Sequence, residues 1–273
     1  MNLFTSSKRP SLRRSLLLAP SHGAVPKEFP VSWHAGEHSR LLAEAQRFRG
    51  RVYLADGAIQ EYQLTVSGRH VQPADNQSFH LILLDEDGQV VACTRYLPHS
   101  SGVGFSQLGV SQTPLTANQR LKLQLERAVA GEISRARSLG FNYVEMGGWA
   151  ITEDLRCTGE AVRMVVTIYA LARMLGGALG VSTVTKRHAS SSILRRLGGA
   201  PLTDGPQEVL PYYDPNYDCE MEILRFDSDH PSKTYEHAIR RCQEALARTP
   251  FLAPEPADTS IPMFGPLVAT ATA

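Results

Sequence analysis

No apolar run in this 273-residue chain approaches the ~18 residues that a bilayer-spanning helix needs, so no membrane span is expected. Cysteine is scarce and scattered. Cys93, Cys157, Cys219 and Cys242 show no Cys-x-x-Cys pair and no histidine at ligand spacing, so neither a metal site nor a disulfide framework is expected. A reducing, cytoplasmic setting is then the default. Excess charge of either sign is also missing. The 28 Lys and Arg nearly balance 27 Asp and Glu, and a net +1 gives no basis for non-specific nucleic-acid binding. Lys8-Arg9 and Arg13-Arg14 precede only about four apolar residues, Leu16 to Ala19. An export signal's apolar core needs ~7 or more. No internal repeat is visible.

What remains is ordinary globular material, 42% apolar and 20% charged, in a chain long enough to bury a substantial core. Residues 1–35 read as a basic, Ser-rich mobile arm, 36–248 as one folded domain, and 249–273 as a poorly ordered Pro/Ala-rich tail. Leu41, Leu42 and Ala45 share one face of a helix expected from residue 37 to 48, after which Arg47 to Leu54 turns into an extended or turn segment. Residues 79–84 and 89–97 flank Asp85-Glu86-Asp87-Gly88 as a hairpin. Residues 98–117, rich in Gly, Ser and Pro, form a loop able to act as a lid. An amphipathic helix follows over 121–139, closed by Gly140. Strands and helices then alternate, ending in a strand over 219–226 and a helix over 235–246. The expected class is α/β, with helices flanking a mixed central sheet.

The chain is organised around residues 143–199. An apolar run (Tyr143, Val144, then Trp149, Ala150, Ile151) meets a polar turn, Thr152-Glu153-Asp154, then Leu155-Arg156-Cys157-Thr158-Gly159-Glu160-Ala161 and a long apolar helix over 162–175. This reads as strand, tight loop, helix. The first N–H groups of such a helix have no internal partners, its dipole adds partial positive charge, and Arg156 adds a full one. The loop is therefore a candidate phosphate cradle, against the plainer reading of a βαβ turn with a solvated arginine.

Glu145 precedes Gly147-Gly148 on the expected strand. It is a candidate general base, its pKa raised toward neutrality by burial, or else a salt-bridged structural carboxylate. Paired glycines inside a strand mark a bulge or a close neighbour, and a splayed strand would leave N–H groups for a thioester carbonyl. Lys186 and Arg187 lead a short helix and Arg195-Arg196 sit near its end. With Arg156 they could form a basic rim for an acidic carrier protein or for nucleotide phosphates, or simply a solvated face. Trp149, Tyr143 and Tyr169 read as core, with Trp149 flanking the proposed thioester site. Apart from Cys157 in the loop, nothing suggests a covalent nucleophile.

The spacing Arg156-x-x-Gly159-x-Ala161, between strand and helix, resembles the Arg/Gln-x-x-Gly-x-Gly/Ala loop of the GNAT acyltransferase superfamily. There the loop holds the pyrophosphate of coenzyme A or the phosphate of a pantetheine arm. Upstream, Arg49-x-x-Val52-Tyr53, Asp75, His80-Leu81, Gly88-x-Val90-Val91 and Arg95-Tyr96-Leu97-Pro98 occur in the order found in acyl-homoserine-lactone synthases and long-chain N-acyl amino acid synthases. Tyr217-Asp218-Cys219-Glu220-Met221 also resembles the latter group. Together the matches cover roughly residues 37–228.

The resemblance implies a GNAT-like fold and transfer of an acyl group from an acyl-ACP or acyl-CoA thioester to a small amine, without a metal. It places Glu145 at the catalytic position and Arg49, Asp75 and Arg95 on the acceptor side. Trp149, Ala150, Ile151 and residues Arg156, Cys157, Thr158, Gly159, Glu160 and Ala161 fall on the donor's arm. Lys186, Arg187, Arg195 and Arg196, grouped by their charge and not by the resemblance, are the candidate carrier-protein rim. Two departures bear on substrate. Lactone synthases carry an arginine three residues after the strand glutamate, where this chain has Gly148, and further acidic residues before the hairpin, where only Asp75 stands. This lowers S-adenosylmethionine as acceptor below an amino acid. The usual GNAT tyrosine acid on the short helix is replaced by Leu194, which argues against a routine acetyl-CoA acetyltransferase. The alternatives that stay open are an acetyl-CoA-dependent GNAT acetyltransferase of unknown amine substrate, an acyl-homoserine-lactone synthase and a non-catalytic thioester-binding module.

Overall fold

A computed structural model of the chain describes residues 13–21, 25–26, 29–100, 102–156 and 158–254, without the side chain of His188. In chain order the strands and helices are β1 (Arg14–Leu18), β2 (Val31–Trp33), α1 (Ala35–Ala55), β3 (Phe79–Leu84), β4 (Val90–His99), α2 (Gln119–Leu139), β5 (Asn142–Ile151), a single turn α3 (Glu153–Arg156) and α4 (Glu160–Met174). Then come β6 (Ala178–Thr185), α5 (Ser190–Leu197), β7 (Ala200–Pro201), β8 (Thr203–Asp204), β9 (Gln207–Glu208), β10 (Tyr212–Asp214), β11 (Cys219–Asp227), α6 (Glu236–Leu246) and β12 (Phe251–Ala253).

One sheet runs in the order β10-β11-β6-β5-β4-β3-β1-β12-β2, with β7 added beside β11. Pairing is parallel at β5–β6, β1–β12 and β12–β2 and antiparallel elsewhere along it, so the sheet is mixed. Apolar residues of α4 and α6 pack on one face with Val144, Tyr96 and Phe226. The other face is covered by α2 around Tyr143 and Val181, and by α1 around Cys93 and Ala150. This is the α/β arrangement, helices flanking a mixed central sheet, that the sequence predicts.

Local signals behaved as expected where they were strong. The hairpin β3–β4 turns at Asp85, whose carboxylate accepts the Asp87 and Gln89 amides. Asn118 caps α2 by accepting the amides of Arg120 and Leu121. Three corrections apply. Residues 14–18, expected in a mobile arm, form β1: Leu17 and Leu18 are fully buried between β3 and β12. Residues 251–253, expected in the tail, form β12, with Phe251 buried against Phe29 and Phe79. Arg47 to Leu54, expected to leave the helix, continues α1 to Ala55, because Arg49, Val52 and Tyr53 stand at i, i+3 and i+4 on its inward face. Among the described residues no helix is long and apolar enough to cross a membrane.

Candidate active site

β5 pairs with β6 only from Asn142–Ala178 to Glu145–Val181. Beyond that point the two parallel strands part, while β5 stays paired to β4. Opposite β4, Cys93 faces Ala150 and Arg95 faces Gly147, so Gly148 and Trp149 together oppose Thr94: a bulge. Gly148 takes φ +63°, which L side chains rarely adopt. The extra residue reverses the strand's phase. Tyr143 and Glu145 face α2 before it, Ala150 faces α1 after it, and Trp149 turns toward the α4 side. The carbonyls of Gly147, Gly148 and Trp149 accept from Thr94 Oγ1 (3.2 Å), Cys93 Sγ (3.5 Å) and Tyr53 O–H (3.4 Å).

The parting opens a cleft of about 140 Å³. Of the residues expected on the donor's arm, Trp149, Ala150, Ile151, Arg156 and Ala161 line it. So does Arg187, expected on an outer rim. The Trp149 indole N–H is buried beside the cleft with no hydrogen-bond partner among the described residues. Arg156 reaches both carboxylate oxygens of Asp56, at 3.0 and 2.9 Å. Arg187 donates to the Asp56 carbonyl and to those of Tyr217 (3.0 Å) and Asp218 (2.8 Å). Two guanidiniums thus meet at the end of α1, beside the mouth of an apolar cleft.

Expected as one tight loop, the segment after β5 is partly helical: Arg156 ends α3, Gly159 caps α4, and Thr158 Oγ1 accepts the first α4 amide, that of Glu160 (3.2 Å). Thr158 and Gly159 are exposed and, with Glu160, lie outside the cleft lining. Glu160 is paired with Arg163 (2.7 Å) and Arg13 (3.4 Å). Cys157 lies outside the described residues. The expected basic rim is largely neutralised: Lys186 pairs with Glu220 (3.0 Å), and Arg195 with the buried Glu222, which also accepts from Ser191. Arg196 is exposed.

A second cavity of about 900 Å³ lies on the α1–α2 side of the sheet and shares Gly147, Gly148, Ser182 and Thr183 with the cleft's lining. Arg95, His99, Glu145 and Asp214 line it, roofed by turns between residues 103 and 113. Of the three residues expected on the acceptor side, only Arg95 reaches this wall, and Arg49 and Asp75 are buried behind it. Asp75 accepts from Arg49 twice (3.0 and 2.7 Å), from Arg95 (3.1 Å), from Gln46 (3.0 Å) and from the Gln72 amide (3.0 Å). Burial opposes its charge, but Arg49 and then the other donors hold its carboxyl far below the usual range.

Glu145 stands at the last paired position before the strands part. It accepts from His99 Nε2 (3.0 Å) and from the amides of Gly109 (3.0 Å) and Val110 (3.0 Å). The expectation that burial raises its pKa is therefore reversed. Burial does push upward, but His99 and the two amides outweigh it and hold the carboxyl below the ordinary value. A saturated, firmly ionised carboxylate is a poor proton acceptor and a good anchor for the roof.

No family model matches the sequence, and no curated protein matches it. Solved structures of similar fold include BjaI, a CoA-dependent acyl-homoserine lactone synthase. In its complex with SAM and isopentyl-CoA it aligns at 11% identity and TM-score 0.53, over 88% of this chain and 92% of that one. Its complex with MTA gives 12% identity and TM-score 0.51 over the same shares. FeeM, an N-acyl amino acid synthase from uncultured soil microbes, aligns at 13% identity and TM-score 0.45 over 80% of this chain and 92% of that one. At these identities the likeness is one of fold.

Proposed function

We propose that the chain is an N-acyltransferase that moves an acyl group from an acyl-ACP or acyl-CoA thioester to the amine of a small acceptor, an amino acid. The observation that carries this reading is the meeting of two unlike cavities where β5 leaves β6. The narrow one suits an acyl-pantetheine arm, with Arg156 and Arg187 near its mouth for the donor's phosphate. The wide one suits the acceptor, with Arg95 on its wall. Arg95 spends one nitrogen on Asp75 and Gln72, and its Nε and remaining nitrogen lie near Gly147. That edge is the fork a carboxylate fits.

Amide formation needs no metal and no covalent enzyme intermediate here: the amine attacks the thioester carbon, whose oxygen develops charge beside the bulged backbone at Gly147–Trp149. An amino acid is favoured over a sulfonium acceptor because the arginine of the lactone synthases is Gly148 here, at a φ of +63° that disfavours any side chain and with an added Cβ 3.1 Å from Arg49 Nη1. The test is thiol release from acyl-CoA and acyl-ACP, each offered with the twenty amino acids, together with mass spectrometry of products. N-acyl amino acids are expected. Absence of thiol release with every pair would leave only a thioester-binding module.

A further inference from the structure

Collapse of the tetrahedral intermediate expels a thiolate, and a proton delivered to sulfur at that moment lowers the barrier. This inference rests on the acyl-transfer reading. The residues that line both cavities mark where donor and acceptor meet, and they include Gly147, Gly148, Ser182, Thr183, Tyr53 and Tyr217. Four carry hydroxyls. Those of Ser182 and Thr183 are aliphatic and far weaker acids than a phenol. The Tyr53 O–H is already donated to the Trp149 carbonyl. Of the thiols, Cys219 lines the donor cleft but not the wide cavity, and Cys93 is buried with its Sγ on the Gly148 carbonyl (3.5 Å).

Tyr217 is different. No hydrogen bond to its hydroxyl occurs among the described residues, while its backbone is fixed from three directions. Its amide donates to the Asp214 carbonyl (3.2 Å), its carbonyl accepts from Arg187 (3.0 Å), and the following Asp218 sits at φ +44° with its own carbonyl on Arg187. The Asp214 carboxylate accepts the Asn216 amide (2.9 Å) and closes the turn. A strained, over-determined turn therefore presents one free phenol at the junction.

We propose that Tyr217 is the general acid of the transfer, a catalytic residue supplied by the β10–β11 turn. The amine nitrogen forms the C–N bond, the oxyanion re-forms the carbonyl, and the C–S electron pair leaves on sulfur as the Tyr217 proton moves to it. The phenolate then takes back the proton that the new amide nitrogen loses, directly or through water. The sum is amine plus thioester giving amide plus thiol, with no other reagent. Burial, then Asp214, pushes the phenol above its ordinary value despite Arg95 and Arg49, so it stays protonated at neutral pH.

The experiment compares wild type with Tyr217→Phe on two donors carrying the same acyl group, octanoyl-CoA and the S-phenyl thioester, with the amino acid that gives product above. With octanoyl-CoA, kcat should fall about 100-fold or more, and KM should change little. With S-phenyl thioester, whose thiolate leaves without help, the gap should close to within roughly tenfold. Equal losses on both donors, or no loss on either, would overturn the assignment while leaving acyl transfer intact. A wild type that releases thiol from no acyl-CoA, acyl-ACP or S-phenyl donor removes the acyl-transfer reading and this one with it. Should Tyr217→Phe melt early, wild type alone decides. Across alkyl and aryl thioesters of graded thiol acidity its kcat should vary shallowly, and a steep dependence contradicts proton donation.

Discussion

The two halves of β5 are one strand held by two different means. From Asn142 to Glu145 it is an ordinary sheet interior, paired to β4 on one side and β6 on the other. From Met146 to Ile151 it has lost β6, and α1 takes over from the sheet. Tyr53 bonds the Trp149 carbonyl, and Arg49 lies against Gly148 while gripping Asp75, which in turn holds Arg95. The lower half is made by backbone complementarity, which tolerates nothing new between the strands. The upper half keeps only β4 as a strand partner and is braced by buried charge, which leaves its other edge open to ligands. Opening a sheet for chemistry thus requires a substitute scaffold, and most of the polar residues that looked catalytic belong to that scaffold.

The largest effect is expected in the upper half. Asp75→Asn leaves Arg49, 2% exposed, without its counter-charge, and removing one partner of a buried pair costs about 3–5 kcal/mol. The urea midpoint should fall accordingly, and the fluorescence of Trp149, one of two tryptophans, should change even where the protein remains folded. A loss below about 1 kcal/mol would mean that the upper half is held otherwise. A smaller effect is expected below. At Gly180 an added Cβ would lie 2.4 Å from the Val144 carbonyl oxygen and 2.5 Å from Phe226. Gly180→Ala should cost about 1–3 kcal/mol by overpacking. Trp149 emission should stay unchanged before the melt, since the bulge is scaffolded separately.

What the sequence made legible follows the same division. The hairpin, α2, the Gly147–Gly148 bulge and the cleft positions of Arg156 and Ala161 are local in origin, fixed by turn chemistry, caps and helix period. β1 and β12 are not. Leu16 to Leu18 is too short to show a period, and its partner at Phe251 lies at the far end of the chain. The Val52-Tyr53 pair looked strand-forming because of its β preference, yet tertiary burial of Arg49, Val52 and Tyr53 kept it helical. Arg187 was recognisable as a cation but not as one facing the cleft, since only the fold brings it to Asp56 and Tyr217. Tyr217 belonged to a noted motif yet gave no sign of its role, because an unpaired hydroxyl is visible only once every neighbour is known. The direction in which the Glu145 carboxyl shifts escaped the sequence for a related reason: the two amides that hold its charge come from residues 109 and 110, whose approach no local pattern predicts.

Glu145 lies on the boundary between the halves, so its replacement sharpens the comparison most finely. Both carboxylate oxygens accept a backbone amide, and one also accepts from His99. Glutamine keeps one acceptor and turns the other into a donor, stranding either the Gly109 or the Val110 N–H, at a cost of about 1–3 kcal/mol. The loss should be local, read as faster hydrogen exchange at those two amides and faster proteolysis between residues 103 and 113, with the sheet still protected. The wild type should show the same opening with acid. A carboxyl whose folded pKa lies below its unfolded value of 4.5 stabilises the fold fully above that value. It loses that contribution as pH falls through the folded value. Corrected for intrinsic exchange, roof protection in wild type should therefore hold down to pH 4.5 and fail below it, whereas Glu145→Gln should be open and nearly pH-independent throughout. If glutamine also abolished acyl transfer while the roof stayed protected, Glu145 would be acting on the substrate rather than on the loop, and the boundary residue would belong to the upper half's chemistry after all.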